Sequence, residues 1–332
     1  TARFPSHADA LPSTLSAIDA DLTAEATGEG RNRRRTIGRY ELIEQVGQGG
    51  FGVVWKAWDS HLRREIAVKI PRHGRWITPQ DEKRFLREAR ATARLHHPGI
   101  VSVFDVGRDG DTVFLVTELV RGITLQQFCH KQLPDLRQAA EIAARIAEAL
   151  HWAHESGVVH RDIKPSNIML EGYVAPPAPG HEHEIVAPPI ASTLDLHAWP
   201  EQEESPSREF LPYRPRIMDF GLAKRDAGET TMTQDGHLLG TPAYMSPEQI
   251  RDPHKVDRRS DVYSLGVVLY QMLAGLVPFE GEVHTVLAQV QSKPPPPPSS
   301  LSADVPPGLE AITLKCLAKD PVCLLYTSPS PR

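Results

Sequence analysis

Gly47-Gln48-Gly49-Gly50-Phe51-Gly52-Val53-Val54 fits the pattern G-x-G-x-x-G-x-V. Dinucleotide-binding turns have similar glycine spacing, but there the third glycine opens a helix. Here Val53-Val54-Trp55 resumes an extended run, so the segment reads as strand, glycine loop, strand. Such a loop can fold down over phosphates and offer backbone N–H groups that side chains would block. Ile66-Ala67-Val68-Lys69 brings a lysine onto the next strand. A lone lysine there is commonly a snorkelling surface residue. Taken with Glu88 on the following helix, it looks like an ion pair that aims the ammonium at the α- and β-phosphates. His160-Arg161-Asp162-Ile163-Lys164-Pro165-Ser166-Asn167 then fills every position of H-R-D-x-K-x-x-N. Asp219-Phe220-Gly221 follows, and after it Gly240-Thr241-Pro242-Ala243-Tyr244-Met245-Ser246-Pro247-Glu248.

In this order the segments resemble the motif set of Hanks-type protein kinases, closest in texture to bacterial serine/threonine kinases. The resemblance covers about residues 37–321, apart from one insertion. It implies a two-lobed α+β kinase fold that transfers the γ-phosphoryl group of ATP, with Mg²⁺, to Ser/Thr hydroxyls of proteins. Asp162 would orient and accept the proton of the substrate hydroxyl, and Lys164 would neutralise the γ-phosphoryl. Lys69, held by Glu88, would grip the phosphates; Asn167 and Asp219 would offer oxygens to Mg²⁺, a hard cation that takes few protein ligands. The nucleotide contacts fall on Val46, Gly47, Gly49, Gly50 and Gly52. Val54, Ala67 and Met169 would sandwich the adenine, and Glu118 to Val120 would be the hinge that hydrogen-bonds its edge, with Thr117 as gatekeeper. Lys164 and Thr241 match the serine/threonine form. Thr241 and Glu248 fall in the segment that docks a peptide substrate. Arg161 is a ready partner for a phosphate on the activation segment 219–248, where Thr231 and Thr233 are the candidate sites. Autophosphorylation there brings in a second kinase copy as partner. Asp261 resembles the acid that anchors the catalytic loop from a buried helix, and a buried Asp without such a task would be costly.

These residues need a β-rich lobe and a helical lobe to position them. Strands are expected at 41–46, 51–58, 65–70, 101–106 and 113–117, from their β-branched and apolar runs. Thr78-Pro79-Gln80-Asp81 reads as a helix start, with Phe85, Leu86, Ala89 and Leu95 along the helix. The small lobe is expected over 37–120 and the larger one over 121–322. Ala139, Ile142, Ala143, Ile146, Ala149, Leu150 and Ala153 recur at helical spacing. Val262 to Leu273 is apolar on nearly all sides and reads as a helix buried in a larger core. Leu309 to Leu317 reads as a further helix.

Three regions fall outside this pattern. Residues 1–36 are small and polar and end in Arg31, Arg33, Arg34 and Arg35, the composition of a disordered tail. Residues 171–215 are rich in proline and acids, and read as a flexible insertion between two readable strands. Past Lys319-Asp320-Pro321 the related kinases carry an arginine that pairs with the residue matching Glu248. Here 323–332 instead resembles a translated sequencing adaptor, so the domain reads as truncated and Glu248 is expected to lack its partner. Pro294 to Pro298 reads as a stiff polyproline connector.

The composition excludes several classes. Net charge is −5 over 332 residues, which argues against a nucleic-acid partner held by bulk positive charge. No run of about 18 apolar residues is present to span a membrane. Cys129, Cys316 and Cys323 stand in neither disulfide nor metal spacing, which fits a reducing, cytoplasmic compartment for the kinase domain. A membrane anchor could lie in sequence beyond this chain. The rival readings are a pseudokinase that binds nucleotide without transfer, a small-molecule phosphotransferase, and a scaffold acting through the insertion. Lys69, Asp162, Asn167 and Asp219 together disfavour the first, and the 241–248 segment disfavours the second.

Overall fold

The computed structural model describes residues 35–48, 52–71, 79–174, 211–220, 242–252 and 256–320. A six-stranded antiparallel sheet comes first: β1 (Thr36–Ile37), β2 (Tyr40–Gln48), β3 (Gly52–Asp59), β4 (Arg64–Pro71), β5 (Val103–Asp109) and β6 (Thr112–Glu118). Their spatial order is β1-β2-β3-β4-β6-β5. Side chains alternate across such a sheet, and β6 shows the division. Phe114 and Val116 pack with Tyr40, Ala57, Ile66 and Val68 on one face. Val113 and Leu115 pack on the other with Phe85 and Ala89 of helix α1 (Pro79–Thr92). Residues in direct register share a face. Val54 opposite Lys69, Ala67 opposite Thr117 and Lys69 opposite Leu115 therefore put Val54, Ala67, Lys69 and Thr117 on the α1 face.

Gly52 is fixed by space. A Cβ there would lie 2.0 Å from the Ile70 carbonyl oxygen, so β3 and β4 can cross closely at this point only without a side chain. Thr36 pairs with Glu41, so the sheet begins one residue inside the expected tail.

The second lobe is helical. Helices α2 (Leu125–Lys131) and α3 (Leu136–Glu155) each open on a capping box, at Thr124 with Gln127 and at Asp135 with Gln138. Further helices are α4 (Pro247–Arg251), α5 (Arg258–Ala274), α6 (Val283–Ser292) and α7 (Pro307–Cys316). Val268, Leu269, Met272 and Leu273 of α5 meet Ile142, Ile146 and Ala149 of α3 in the main core. The opposite side of α5, Tyr263, Val267 and Tyr270, packs with Phe279, Val286 and Val290. Burial on both sides accounts for the absence of a polar stripe on this helix. Gly275 ends it with φ 78°, the left-handed cap glycine adopts freely.

A three-stranded sheet joins β7 (Gly122–Thr124), just before α2, to β8 (Ile168–Glu171) and β9 (Arg214–Ile217), which fall between α3 and α4, in that order. Here the expected limits of the insertion need correction. Glu171 pairs with Arg214 and Leu170 with Pro215, so both ends of 171–215 belong to the sheet. Tyr213 is buried, and its ring meets Tyr173 and Phe128 at 5.7 and 5.8 Å. The proline and acid content of the segment hides these aromatics at its roots, and the rings bury apolar area as any core residue does. Residues 175–210 lie outside the described set. The expected strand at 101–106 is also displaced: β5 starts at Val103, while Val101 donates its N–H to Ile217 O at 2.8 Å. No helix among the described residues is long and apolar enough to cross a membrane.

Candidate active site

The segment 160–167 follows α3 and ends in a 3-10 turn, Pro165–Asn167, that leads into β8. It is held from below by one carboxylate. Asp261, fully buried on α5, accepts hydrogen bonds from His160 N at 2.8 Å and Arg161 N at 2.7 Å. His154 Nε2, from the end of α3, lies 2.7 Å from the same carboxylate. The expected anchoring by Asp261 is thus seen directly, and it also accounts for the backbone at Arg161. This residue has φ 65°, a left-handed conformation costly for a non-glycine residue and held here by its neighbours. Its carbonyl accepts from Gln249 Nε2 at 2.8 Å, which ties α4 to the same loop. His160 is fully buried, and burial holds its imidazole below the ordinary proton affinity. Its Nδ1 accepts from Asp162 N at 3.1 Å, and its Nε2 lies 3.0 Å from Met218 O.

Above this support three candidate residues converge. Lys164 Nζ lies 2.8 Å from Asp162 Oδ2. Asn167 Nδ2 donates to Asp162 O at 2.8 Å and to Asp162 Oδ2 at 3.0 Å. Asn167 commits its amide nitrogen to Asp162, and its Oδ1 is the atom left to act as a ligand. Met218 N donates to Asn167 O at 3.0 Å, which brings the segment carrying Asp219, just after β9, beside this turn. An amide oxygen and a carboxylate on adjoining segments suit a hard divalent cation, so the donor set fits Mg²⁺.

The sheet side supplies Lys69. Its side chain is 9% exposed, and its ammonium meets Asp219. Asp219 has φ 67°, again left-handed. The expected Lys69–Glu88 pair is replaced by this one. Glu88 is half-buried on α1, where its carbonyl accepts from Thr92 Oγ1 at 3.1 Å. Opposite charges this close attract, and Asp219 stands in reach of the lysine.

Ala67 and Thr117 are buried on the α1 face of the sheet, with Val54 half-buried beside them. Val46 lies at the bulge between Gln45 and Gly47 and is half exposed. Val120 and Met169 are half-buried. Gly47 stands opposite Val54 with room for a Cβ at 3.8 Å, so steric space alone does not require glycine there. Gly49, Gly50, Thr231, Thr233 and Thr241 lie outside the described residues. Among the described residues no arginine pairs with Glu248; Ser260 Oγ donates to its Oε1 at 2.6 Å, a hydroxyl on α5 that the sequence did not suggest.

Several residues of the site gave no signal in sequence. His154, Gln249 and Arg216 each meet a motif residue from far along the chain, and Ser260 meets Glu248 from the next helix. Arg216 is the most connected. Its terminal nitrogens reach both oxygens of Glu118 at 2.7 Å, Glu171 Oε1 at 3.1 Å and Ile100 O at 2.9 Å.

A β-rich lobe, a helical lobe and a cleft lined by Lys69, Asp162, Asn167 and Asp219 define a kinase catalytic domain. The chain belongs to the protein kinase family, whose protein kinase domain model matches residues 40–322. Its relatives are bacterial Hanks-type serine/threonine kinases. It is 38% identical over 291 residues to serine/threonine-protein kinase PknB of Mycolicibacterium smegmatis, covering 85% of this chain and 40% of that protein. It is 37% identical to a probable serine/threonine-protein kinase of Streptomyces coelicolor, covering 87% of this chain and 38% of that one. The chain thus spans about two fifths of the length of these relatives. The crystal structure of the Mycobacterium tuberculosis PknI kinase domain shares the fold, with TM-score 0.62, 22% identity, and coverage of 90% of this chain and 94% of that one.

Proposed function

We propose that this domain transfers the γ-phosphoryl group of ATP to Ser/Thr hydroxyls of proteins, itself included. The convergence of Lys164 and Asn167 on one oxygen of Asp162 carries the reading. Phosphoryl transfer asks for positioning and charge neutralisation more than for covalent chemistry. Asp162 holds the substrate hydroxyl in line and takes its proton. The hydroxyl oxygen bonds to the γ-phosphorus as the bond to the β–γ bridging oxygen breaks, and the electron pair leaves with ADP. Lys164 sits where it can follow the charge from Asp162 to the transferring group, and Lys69 holds the α- and β-phosphates. Asn167 Oδ1 and the Asp219 carboxylate would hold Mg²⁺, which supplies neutralisation of the phosphate charge. Val54, Ala67 and Met169 enclose the adenine, and the backbone of Glu118 to Val120 presents its polar edge. Thr241 and Glu248 belong to the face that receives the peptide, and Thr231 or Thr233 receives the activating phosphate, read by Arg161.

The experiment is incorporation of labelled phosphate from ATP into casein and into the chain itself, followed by identification of the modified residues. Wild-type protein is expected to label Ser and Thr. Asp162→Asn, which keeps shape and removes the base, is expected to lose 10²-fold or more in turnover with an unchanged melting temperature. Near wild-type turnover in that variant would sink the assignment, and nucleotide binding without transfer in the wild type would leave a pseudokinase.

A further inference from the structure

Arg216 sits on β9, three residues before Asp219, and belongs to none of the motifs. Its side chain is 7% exposed. Such a buried guanidinium is retained at a cost unless its donors are used. Four hydrogen bonds use the two terminal nitrogens, two of them in a fork on Glu118. Nε is buried and makes no hydrogen bond among the described residues, so the fork carries the orientation of the group. Glu118 ends β6 at the start of the hinge. Its own N–H is bound to Ser102 O at 2.9 Å, and Thr117 Oγ1 donates to its carbonyl at 3.3 Å. The hydrogen bond from Arg216 holds the Glu118 carboxyl below the usual carboxylate range, so the pair stays ionised near neutrality.

The backbone around Arg216 is equally committed. Ile217 N donates to Gly99 O and Ile217 O accepts from Val101 N, both at 2.8 Å. Arg216 stands opposite Met169 on β8, and Glu171 two residues on completes its partners. One side chain thus joins the hinge, the strand that leads to Asp219, and the segment 99–101.

Building on the kinase reading, we infer that Arg216 is a positioning residue for the nucleotide. By holding the Glu118 side chain, it fixes the hinge carbonyl at a set distance from Asp219, so that adenine and phosphates are met together. It touches no substrate. Arg rather than Lys is needed, because a point charge cannot hold both carboxylate oxygens and the Ile100 carbonyl in one plane.

The test compares Arg216→Met, Arg216→Lys, Glu118→Gln and the double variant Arg216→Met/Glu118→Gln in the full chain. Dissociation of a ribose-labelled fluorescent ATP is measured without turnover, beside KM for ATP, KM for casein, and kcat. Arg216→Met is expected to weaken nucleotide binding and raise KM for ATP about tenfold, equivalent to about 1.4 kcal/mol. Its kcat and casein KM should stay within about twofold to threefold, since Asp162 keeps its own supports. Arg216→Lys should recover part of the loss. The double variant should be no weaker than Arg216→Met, because both changes break one contact. Nucleotide affinity unchanged in folded Arg216→Met, or additive losses in the double variant, overturns the inference. Should Arg216→Met melt, Glu118→Gln decides, with about threefold weaker binding expected from loss of the charge-assisted fork and unchanged binding against it. Wild-type protein that binds nucleotide and transfers nothing removes the kinase reading, while the binding series still judges Arg216.

Discussion

The two walls of the cleft are held by different means. On the helical wall, backbone N–H groups and one imidazole converge on a single buried carboxylate, Asp261, and the left-handed turn at Arg161 is set by that convergence. On the sheet wall, side chains reach across: Lys69 to Asp219, and Arg216 to Glu118. Backbone partners leave a loop little choice of position, whereas a long side chain can exchange one carboxylate for another. The difference shows in the outcome for the two expected contacts. Asp261 is where its motif implied, but Lys69 rests on Asp219 and not on Glu88. The helical wall holds Asp162 through several backbone partners, whereas the sheet wall depends on which single carboxylate its lysine meets.

The strongest way to break this contrast is Asp261→Ala. It removes the carboxylate shared by three donors, leaves buried N–H groups unpaired, and frees a strained turn. A loss of roughly 3–5 kcal/mol in stability is expected from such a deletion, with transfer activity lost alongside. Thermal and urea unfolding would show it. A variant with unchanged melting temperature would mean that the loop is held by its other contacts, such as Gln249 to Arg161 O and His160 to Met218 O.

Lys69→Met sharpens the contrast from the other wall. The fold should tolerate it, because the lysine enters no core cluster and its partner Asp219 is one-third exposed. Turnover should fall on the order of 10²-fold with weaker ATP binding, from loss of a charge aimed at the phosphates. Calorimetry beside the phosphate assay separates the two effects. A melting point lowered as far as in Asp261→Ala would show that the two walls are built alike after all.

Much of this was legible in the chain. The strands around the glycine loop, α1, α3 and the doubly buried α5 all announce themselves by short-range pattern, since 2.0- and 3.6-residue periods report which faces are covered. The residues Lys69, Asp162, Lys164, Asn167 and Asp219 were legible because their spacing is local to each motif. What was not legible is pairing over distance. Nothing near Arg216 or His154 marks a partner some hundred positions away, and each reads as an ordinary strand or helix residue. Glu248 is a partial case: no arginine pairs with it among the described residues, but the Ser260 hydroxyl on α5 that donates to its Oε1 left no mark in the sequence. Composition misled at 171–215, where averaging over prolines and acids hid Tyr173 and Tyr213.

That last region gives the smallest expected effect and a test of where the helical wall ends. Gly172 has φ 78°, and a Cβ on it would lie 3.9 Å from Pro212 O, so the two ends of the insertion stand side by side. A short Asn-Gly turn can therefore join them if residues 175–210 are removed. The roots that touch the site stay: Glu171 on Arg216, and Tyr173 and Tyr213 against Phe128. The deletion is expected to leave kcat and KM for ATP within about threefold, as removal of a segment at adjoining surface ends does. Each halving of a closing segment relieves roughly 0.6 kcal/mol of closure cost, so the melting temperature should rise slightly. Tyr213→Ala, one step further in, should instead cost about 3 kcal/mol or more, because it empties a buried aromatic site. The pair of variants locates the boundary between Leu211 and Tyr213. A deletion of 175–210 that abolishes transfer while Tyr213→Ala proves mild would place the functional element inside the acidic segment, and the sheet at its roots would then be the lesser part.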